Sequence, residues 1–172
     1  MATATTLISI EEYLRTMYHP DRDYVDGEVQ ERNLGERDHG RLQIALSAWF
    51  FNNEATWGVY AIVEQRIRVG PRRVRIADVC LVSRSAPKEQ VTVTPPLLCV
   101  EILSPEDRLP RAARVMDDYA RMGVPNLWLL DPIDRVAYVY ASGGLLKLTT
   151  DRLAIPNTEI YVDLPTLFAA LD

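Results

Sequence analysis

Apolar positions recur along the chain with two distinct periods. Residues 38–56 and 110–123 have apolar side chains every three to four positions, which predicts two helices. Gly58 and Gly123 follow as end signals, as glycine often does at a helix C-terminus. Shorter runs rich in β-branched and aromatic residues predict five strands, at 59–69, 73–83, 97–103, 126–131 and 136–141. The mixed order predicts an α/β fold, with one sheet and helices packed against it.

Smaller elements are predicted at both ends of the chain. Ser9 with Glu12 has the spacing of a capping box, so a first helix should run from there to about Tyr18. Residues 22–33 alternate around Gly27 and predict a strand or one arm of a hairpin. A last short strand at 159–164 and a closing helix complete the pattern.

Two carboxylates interrupt apolar runs that otherwise predict buried strands. Asp78 lies in "RVRIADVCLV" and Glu101 lies in "LLCVEIL". Because side chains alternate between the two faces of a strand, Asp78 should share a face with Cys80, and Glu101 with Cys99. Burial of an unpaired carboxylate costs several kcal/mol, so some partner must compensate each charge.

A hard divalent cation is one such partner, because Mg²⁺ commonly binds one or two protein carboxylates. On a phosphate substrate this metal would stabilise charge and activate water. The alternative is that Asp78 and Glu101 lie at strand ends, solvated or paired with arginine. Spacing alone leaves both interpretations open. The five arginines of "RIRVGPRRVR" and the acids Asp117 and Asp118 are expected to be solvated.

Composition limits the protein class. A chain of 172 residues with 48% hydrophobic content predicts a single domain over 1–172. A net charge of -5 argues against a protein that coats nucleic acid through bulk charge. No apolar run is long enough for a membrane span, and no secretory signal is expected. Cys80 and Cys99 fall within predicted strands, which favours reduced core cysteines in a cytoplasmic protein.

The order of "IADV", "VEILSPEDR", a helix and "YARMGVPNLWLLDP" resembles the Uma-type family of restriction endonucleases, a branch of the PD-(D/E)XK nuclease superfamily. The segment "DYVDGEVQERN" and the helix opened by His39 also fit this family. The resemblance covers residues 7–165 or nearly so. It implies a restriction-endonuclease-like mixed β-sheet core flanked by α-helices, with a metal site on the central strands.

The resemblance also implies roles for individual residues. Asp78 and Glu101 match the catalytic acids, and together with the backbone carbonyl of Ile102 they would hold Mg²⁺ or Mn²⁺. Asp23 would be a third, weaker acid, and Gln65 would line the same pocket. A further candidate is His39, which would hydrogen-bond a substrate phosphate; the alternative for it is a structural cap or surface group.

The lysine of the superfamily is absent from both places where it is expected. Leu103 stands two residues after Glu101, and Val115 stands four residues before Tyr119, where the Uma-type variant places it. The nearest cations are Arg111 and Arg114, which would supply the missing charge.

Three hypotheses follow. The first is a Mg²⁺- or Mn²⁺-dependent phosphodiesterase that acts on DNA, with Arg114 as a catalytic group; a homodimer would suit it, because many such nucleases cut both strands. The second is a catalytically impaired nuclease fold that binds nucleic acid or a partner. The third is a structural dimer formed through helix 38–56.

Overall fold

A mixed β-sheet of eight strands forms the centre of the molecule. The computed structural model describes residues 7–33 and 35–172. The strands are β1 (Arg22–Val25), β2 (Glu28–Glu31), β3 (Val59–Gly70), β4 (Arg73–Ser83), β5 (Leu98–Ile102), β6 (Asn126–Asp131), β7 (Val136–Ala141) and β8 (Gly144–Lys147). Their order is β2-β1-β4-β5-β6-β7-β8, and β3 pairs with β4. Strands β5 and β6 run parallel, and the other pairs are antiparallel. A separate ribbon pairs β9 (Arg152–Ala154) with β10 (Tyr161–Asp163).

The helices are α1 (Ile10–Arg15), α2 (Arg37–Trp57), α3 (Leu109–Met122) and α4 (Leu164–Phe168), which a short 3₁₀ turn follows. As predicted, Ser9 caps α1, and its side chain accepts a hydrogen bond from the backbone N–H of Glu12 at 3.1 Å. The helix ends at Arg15, before the predicted Tyr18, because Thr16 adopts an extended conformation. The mixed α/β class is confirmed. Within the described ranges, no helix is long and apolar enough to cross a membrane.

Helices α2 and α3 cover opposite faces of the sheet. Leu46 and Phe50 of α2 pack in one core cluster, which includes Val100 and Trp128. Met116 and Tyr119 of α3 pack in a second cluster, which includes the free cysteines Cys80 and Cys99. Alternation along β5 produces this division, because successive side chains contribute to different clusters. Both cysteines are fully buried core residues, as the sequence predicts.

Strict alternation fails in β4 beside Asp78. Ala77 and Cys80 both pack in the α3 cluster, whereas Val79 packs in the α2 cluster. Opposite Asp78, Glu64 has a left-handed backbone with φ of 49° and takes no part in the β3–β4 register. Asp78 itself belongs to neither cluster. Its carboxylate lies 3.3 Å from His39 of α2 and lines a cavity that α3 also borders, whereas Cys80 packs in the α3 cluster.

Replacement of Gly123, the residue that follows α3, by alanine should destabilise the folded chain. Gly123 has a φ of 101°, and an added Cβ would meet only Pro95, at 3.8 Å. The cost of Gly123→Ala therefore reflects the left-handed backbone, and we expect a loss of about 1 kcal/mol in the free energy of unfolding. Gly40→Ala in α2, where the added Cβ meets nothing, is the control and should gain about 0.5–1 kcal/mol. Urea unfolding measures both, and a loss shared by the two variants would contradict this explanation.

Candidate active site

The two acids that the sequence singles out meet where β4 and β5 diverge. The backbone ladder between these strands ends at the pair Val79–Val100. Beyond it, Asp78 Oδ2 accepts a hydrogen bond from the backbone N–H of Ile102 at 2.7 Å. Asp78 and Glu101 both line a small cavity of about 60 Å³. The carboxylates thus converge because the Asp78 side chain, and not the backbone of β4, binds the next backbone N–H of β5.

A cation that sequence reasoning missed lies between the acids of this site. Arg32 Nη2 donates to Asp78 Oδ1 at 2.7 Å, and Arg32 Nη1 donates to Glu64 Oε2 at 2.7 Å. Burial lowers the pKa of the Arg32 guanidinium, but the charges of Asp78, Glu101 and Glu64 outweigh it and raise that pKa above its ordinary value. Arg32 stands in the segment "DYVDGEVQERN", and pairing with arginine is the alternative to a metal that the carboxylates leave open.

The first turns of α2 complete this side of the site. His39 Nε2 lies 3.3 Å from Asp78 Oδ2, and its side chain is only 11% exposed. Burial lowers the pKa of His39, but the hydrogen bond and charge of Asp78 raise it further, so the net direction is upward. Gln43 donates to the Asp78 carbonyl at 3.0 Å and to Glu64 Oε1 at 2.6 Å. His39 is therefore a largely buried neighbour of Asp78 rather than a surface group.

Glu101 has the most strongly perturbed environment of the acids in the cavity. Its Oε1 accepts a hydrogen bond from the Tyr119 hydroxyl at 2.8 Å. Burial and the nearby Asp78 carboxylate raise the pKa of Glu101 well above its ordinary value, against the opposing effects of Arg32 and the Tyr119 hydroxyl. Such a shift accompanies many catalytic carboxylates. Glu101 therefore binds a proton more tightly than an exposed glutamate does.

Helix α3 brings Arg111 and Val115 to the same cavity. Arg111 donates to the Glu31 carbonyl at 2.7 Å and to Asn33 Oδ1 at 3.1 Å. Asn33 in turn donates to Asp107, which also accepts from the backbone N–H of Ser104 at 2.7 Å. Val115, where the resemblance described above predicts a lysine, thus lines the cavity with an apolar side chain.

Two predicted site residues lie elsewhere. Arg114 is exposed and does not line the cavity, because one residue along a helix turns about 100° away from Val115. Gln65 points away from the acids and donates to Thr92 Oγ1 at 3.0 Å and to the Gln90 carbonyl at 3.1 Å. The left-handed Glu64 changes the direction of the chain just before Gln65, so strand parity misplaces this side chain. Glu64, rather than Gln65, belongs with the site.

Asp23 lines the cavity but is already paired. Its Oδ2 accepts from Arg75 Nη1 at 2.8 Å, and the same guanidinium binds Asp118 through Nη2 at 2.7 Å. Burial raises the pKa of Asp23, and this effect outweighs the attraction of Arg75. Asp118 and Arg75 are buried rather than solvated, so the sequence-based expectation for both is wrong. Asp23 serves first as one end of a buried ion-pair network.

The donors available to a metal are hard oxygens. They are the carboxylates of Asp78 and Glu101 and the backbone carbonyl of Ile102, a set that suits Mg²⁺ or Mn²⁺ in kind. In the part of the chain that the structure describes, no three side chains of His, Cys, Asp or Glu are grouped as a metal site. Arg32 forms a hydrogen bond with one of the Asp78 oxygens that a metal would need.

Comparison with known proteins agrees with this fold. A "putative nuclease belonging to DUF820" from Anabaena variabilis has a crystal structure that matches with a TM-score of 0.83 and 19% identity, over 95% of this chain and 99% of that one. A chain of the DrdV–DNA complex matches with a TM-score of 0.42 and 17% identity, over 75% of this chain and 10% of that one, which is too distant to bear on function. No curated protein was found to match the sequence. A family model with the description "Putative restriction endonuclease" matches residues 10–160, and the chain therefore belongs to this family, Uma2.

Proposed function

We propose that this chain is a divalent-metal-dependent phosphodiesterase that acts on DNA. The observation that carries the proposal is the convergence of Asp78 and Glu101 on one cavity, in a chain of a restriction endonuclease family. These two carboxylates and the Ile102 carbonyl would hold Mg²⁺ or Mn²⁺. When bound, such a metal supplies Lewis-acid stabilisation of the phosphate and lowers the pKa of bound water.

The residues of the chain have separable tasks in this proposal. The backbone N–H of Ile102 fixes the orientation of Asp78. The Tyr119 hydroxyl donates to Glu101 Oε1 at 2.8 Å and so orients the second carboxylate ligand. Arg111 provides positive charge at the cavity, and because arginine stays protonated, it stabilises phosphate charge without transferring a proton.

A second function is favoured by one observation. Val115 faces the cavity at the place where the family has lysine, so the site lacks a cation that takes part in cleavage in the superfamily. A catalytically impaired fold would still bind a DNA backbone, and this binding would weaken as salt increases. Such a protein shows no cleavage with any metal, and this separates it from the enzyme.

Metal binding tests the proposal without a choice of substrate. Titration calorimetry should detect saturable Mn²⁺ binding in the wild type, and Asp78→Asn should weaken it by about tenfold or more, because the variant removes a charged ligand and keeps the shape. Asp117→Asn is the matched control. This acid also belongs to the cavity-facing helix α3, but it pairs with Arg121 at 2.5 Å and does not line the cavity. We expect its Mn²⁺ affinity to match that of the wild type.

The result that would overturn the enzyme proposal is equally direct. If the wild type binds no Mn²⁺ either alone or with a duplex that carries a non-cleavable phosphorothioate linkage, the metal-dependent reaction is excluded. A salt-sensitive DNA affinity in the same preparation would then support the binding module. Circular dichroism of each variant confirms that the fold is retained.

A further inference from the structure

We propose that Arg32 is a displaceable internal cation. In the metal-free chain it neutralises Asp78, and when a divalent metal binds it leaves Asp78 while it stays anchored on Glu64. This inference rests on the proposed metal site, and it concerns how that site is controlled. It predicts that the affinity for metal is limited by a residue outside the ligand set.

The contacts of Asp78 place Arg32 and a metal in competition for the same carboxylate. Asp78 Oδ2 already accepts from the Ile102 N–H at 2.7 Å and lies 3.3 Å from His39. Asp78 Oδ1 is bonded to Arg32 Nη2 at 2.7 Å. A metal ligated by Oδ1 would bring two positive charges within contact distance in a nearly buried place, since the Asp78 side chain is 4% exposed. We therefore expect metal binding and the Arg32–Asp78 contact to oppose each other.

The second anchor of Arg32 indicates where the side chain goes. Glu64 is 38% exposed, and its carboxylate is held by both Arg32 and Gln43, at 2.7 and 2.6 Å. Its left-handed backbone is unusual for glutamate and directs the side chain to this place. A cleft of about 340 Å³, lined by Arg32, Glu64 and Asp78, gives the guanidinium room to turn.

The displaced Arg32 side chain would be available to bind substrate. Once it is released from Asp78, the Nη2 group faces the cleft beside the acids, where the phosphate of a bound strand would approach. A guanidinium suits a phosphate geometrically as well as electrostatically. Arg32 would then supply the positive charge that Val115 cannot. Arg32 would therefore pair with Asp78 when no metal is bound, and it would contact the substrate phosphate when a metal is bound.

Removal of the internal cation should increase metal affinity. We expect Arg32→Met to bind Mn²⁺ about 10- to 100-fold more tightly than the wild type, the usual range of coupling between two binding events. Arg22→Met is the control, because Arg22 also pairs with a carboxylate, that of Glu31 at 3.2 Å, but lines neither the cavity nor the cleft. Its Mn²⁺ affinity should change by less than about threefold, since charges that are not in contact are weakly coupled. Calorimetry measures all three proteins.

Glu64 provides a second and independent test. Glu64→Gln should weaken Mn²⁺ binding in the wild type, because the displaced arginine loses its anchor. The same change should have no effect in the Arg32→Met background. If Glu64 were itself a ligand, it would weaken binding in both backgrounds, and the double-mutant cycle separates the two cases.

The outcomes distinguish this inference from the function on which it rests. Equal Mn²⁺ affinity in the wild type and Arg32→Met overturns the role of Arg32 and leaves the metal site intact. Absence of binding in both proteins overturns the metal site and the inference together. If Arg32→Met does not fold, Arg32→Gln replaces it, because glutamine keeps a hydrogen-bond donor and removes the charge. Tighter Mn²⁺ binding in this variant supports the inference, and unchanged binding overturns it.

Discussion

Arg75→Met is expected to lower the free energy of unfolding by about 3–5 kcal/mol, the usual loss when one partner of a buried ion pair is removed. Arg75 is 8% exposed and holds Asp23 at 2.8 Å and Asp118 at 2.7 Å. Without it, the one hydrogen bond that the Asp23 carboxylate keeps among residues 7–33 and 35–172 comes from the backbone N–H of Ile76, at 3.3 Å. Asp118 keeps Arg73 at 2.7 Å, so most of the loss should come from Asp23.

Urea unfolding at neutral pH measures this loss, and a double variant tests its cause. Asp23→Asn added to Arg75→Met removes the unpaired charge and should recover part of the stability. Arg72→Met is the control, because Arg72 is exposed and donates to the Asp26 carbonyl rather than to a carboxylate. It should stay within about 0.5 kcal/mol of the wild type. If Arg75→Met cost no more than this control, the network would not stabilise the fold.

The elements of this fold could be predicted from sequence because each depends on a local pattern. The period of apolar positions placed α2 within one residue at each end. The interruption of apolar strands by Asp78 and Glu101 was enough to single out both acids, although spacing alone left a metal and an arginine as possible partners. Both predictions use only neighbours in sequence, and burial of the apolar residues then determines the rest of the arrangement.

The remainder of the site depends on contacts that no local pattern records. Arg32 reaches Asp78 from 46 positions away, and Glu64 meets it only because its backbone is left-handed. Arg75 is buried because two acids from separate elements, Asp23 and Asp118, meet it in space. Strand parity misplaced Gln65 for the same reason, since one irregular residue changes the direction of those that follow. A cytoplasmic location, a homodimer and DNA as partner stay predictions.

Glu101→Gln should separate function from stability. If the proposed reaction is correct, Mg²⁺-dependent cleavage of a DNA duplex should fall by at least about 100-fold, because one essential charge is lost. The same variant should unfold at a higher temperature than the wild type, by about 2–4 °C if the gain is about 1 kcal/mol. A neutral amide avoids the cost of a buried charge, and its oxygen can still accept the hydrogen bond from the Tyr119 hydroxyl.

The pH dependence of this stability gain has a defined sign. Burial and Asp78 raise the pKa of Glu101 in the folded state, so the folded chain binds this proton more tightly than the unfolded chain does. Below a pH of about 4.3, the pKa of a glutamate in the unfolded chain, Glu101 is protonated in both the folded and the unfolded state. No charge is then buried on folding. As the pH rises further, the wild type loses stability, and this loss ends once the pH exceeds the pKa of Glu101 in the folded chain. The advantage of metal-free Glu101→Gln should therefore grow with pH and then level off.

Arg114→Ala is the control for cleavage, because the exposed Arg114 lies outside the cavity. Its rate should stay within about twofold of the wild type, which corresponds to the small effect of a surface substitution. A Glu101→Gln protein that still cleaves DNA would remove Glu101 from the reaction. A variant that is inactive and also less stable would show that Glu101 is needed for the fold. An inactive and more stable protein is the combination that a retained catalytic carboxylate predicts, since a carboxylate whose burial destabilises the fold is typical of a functional site.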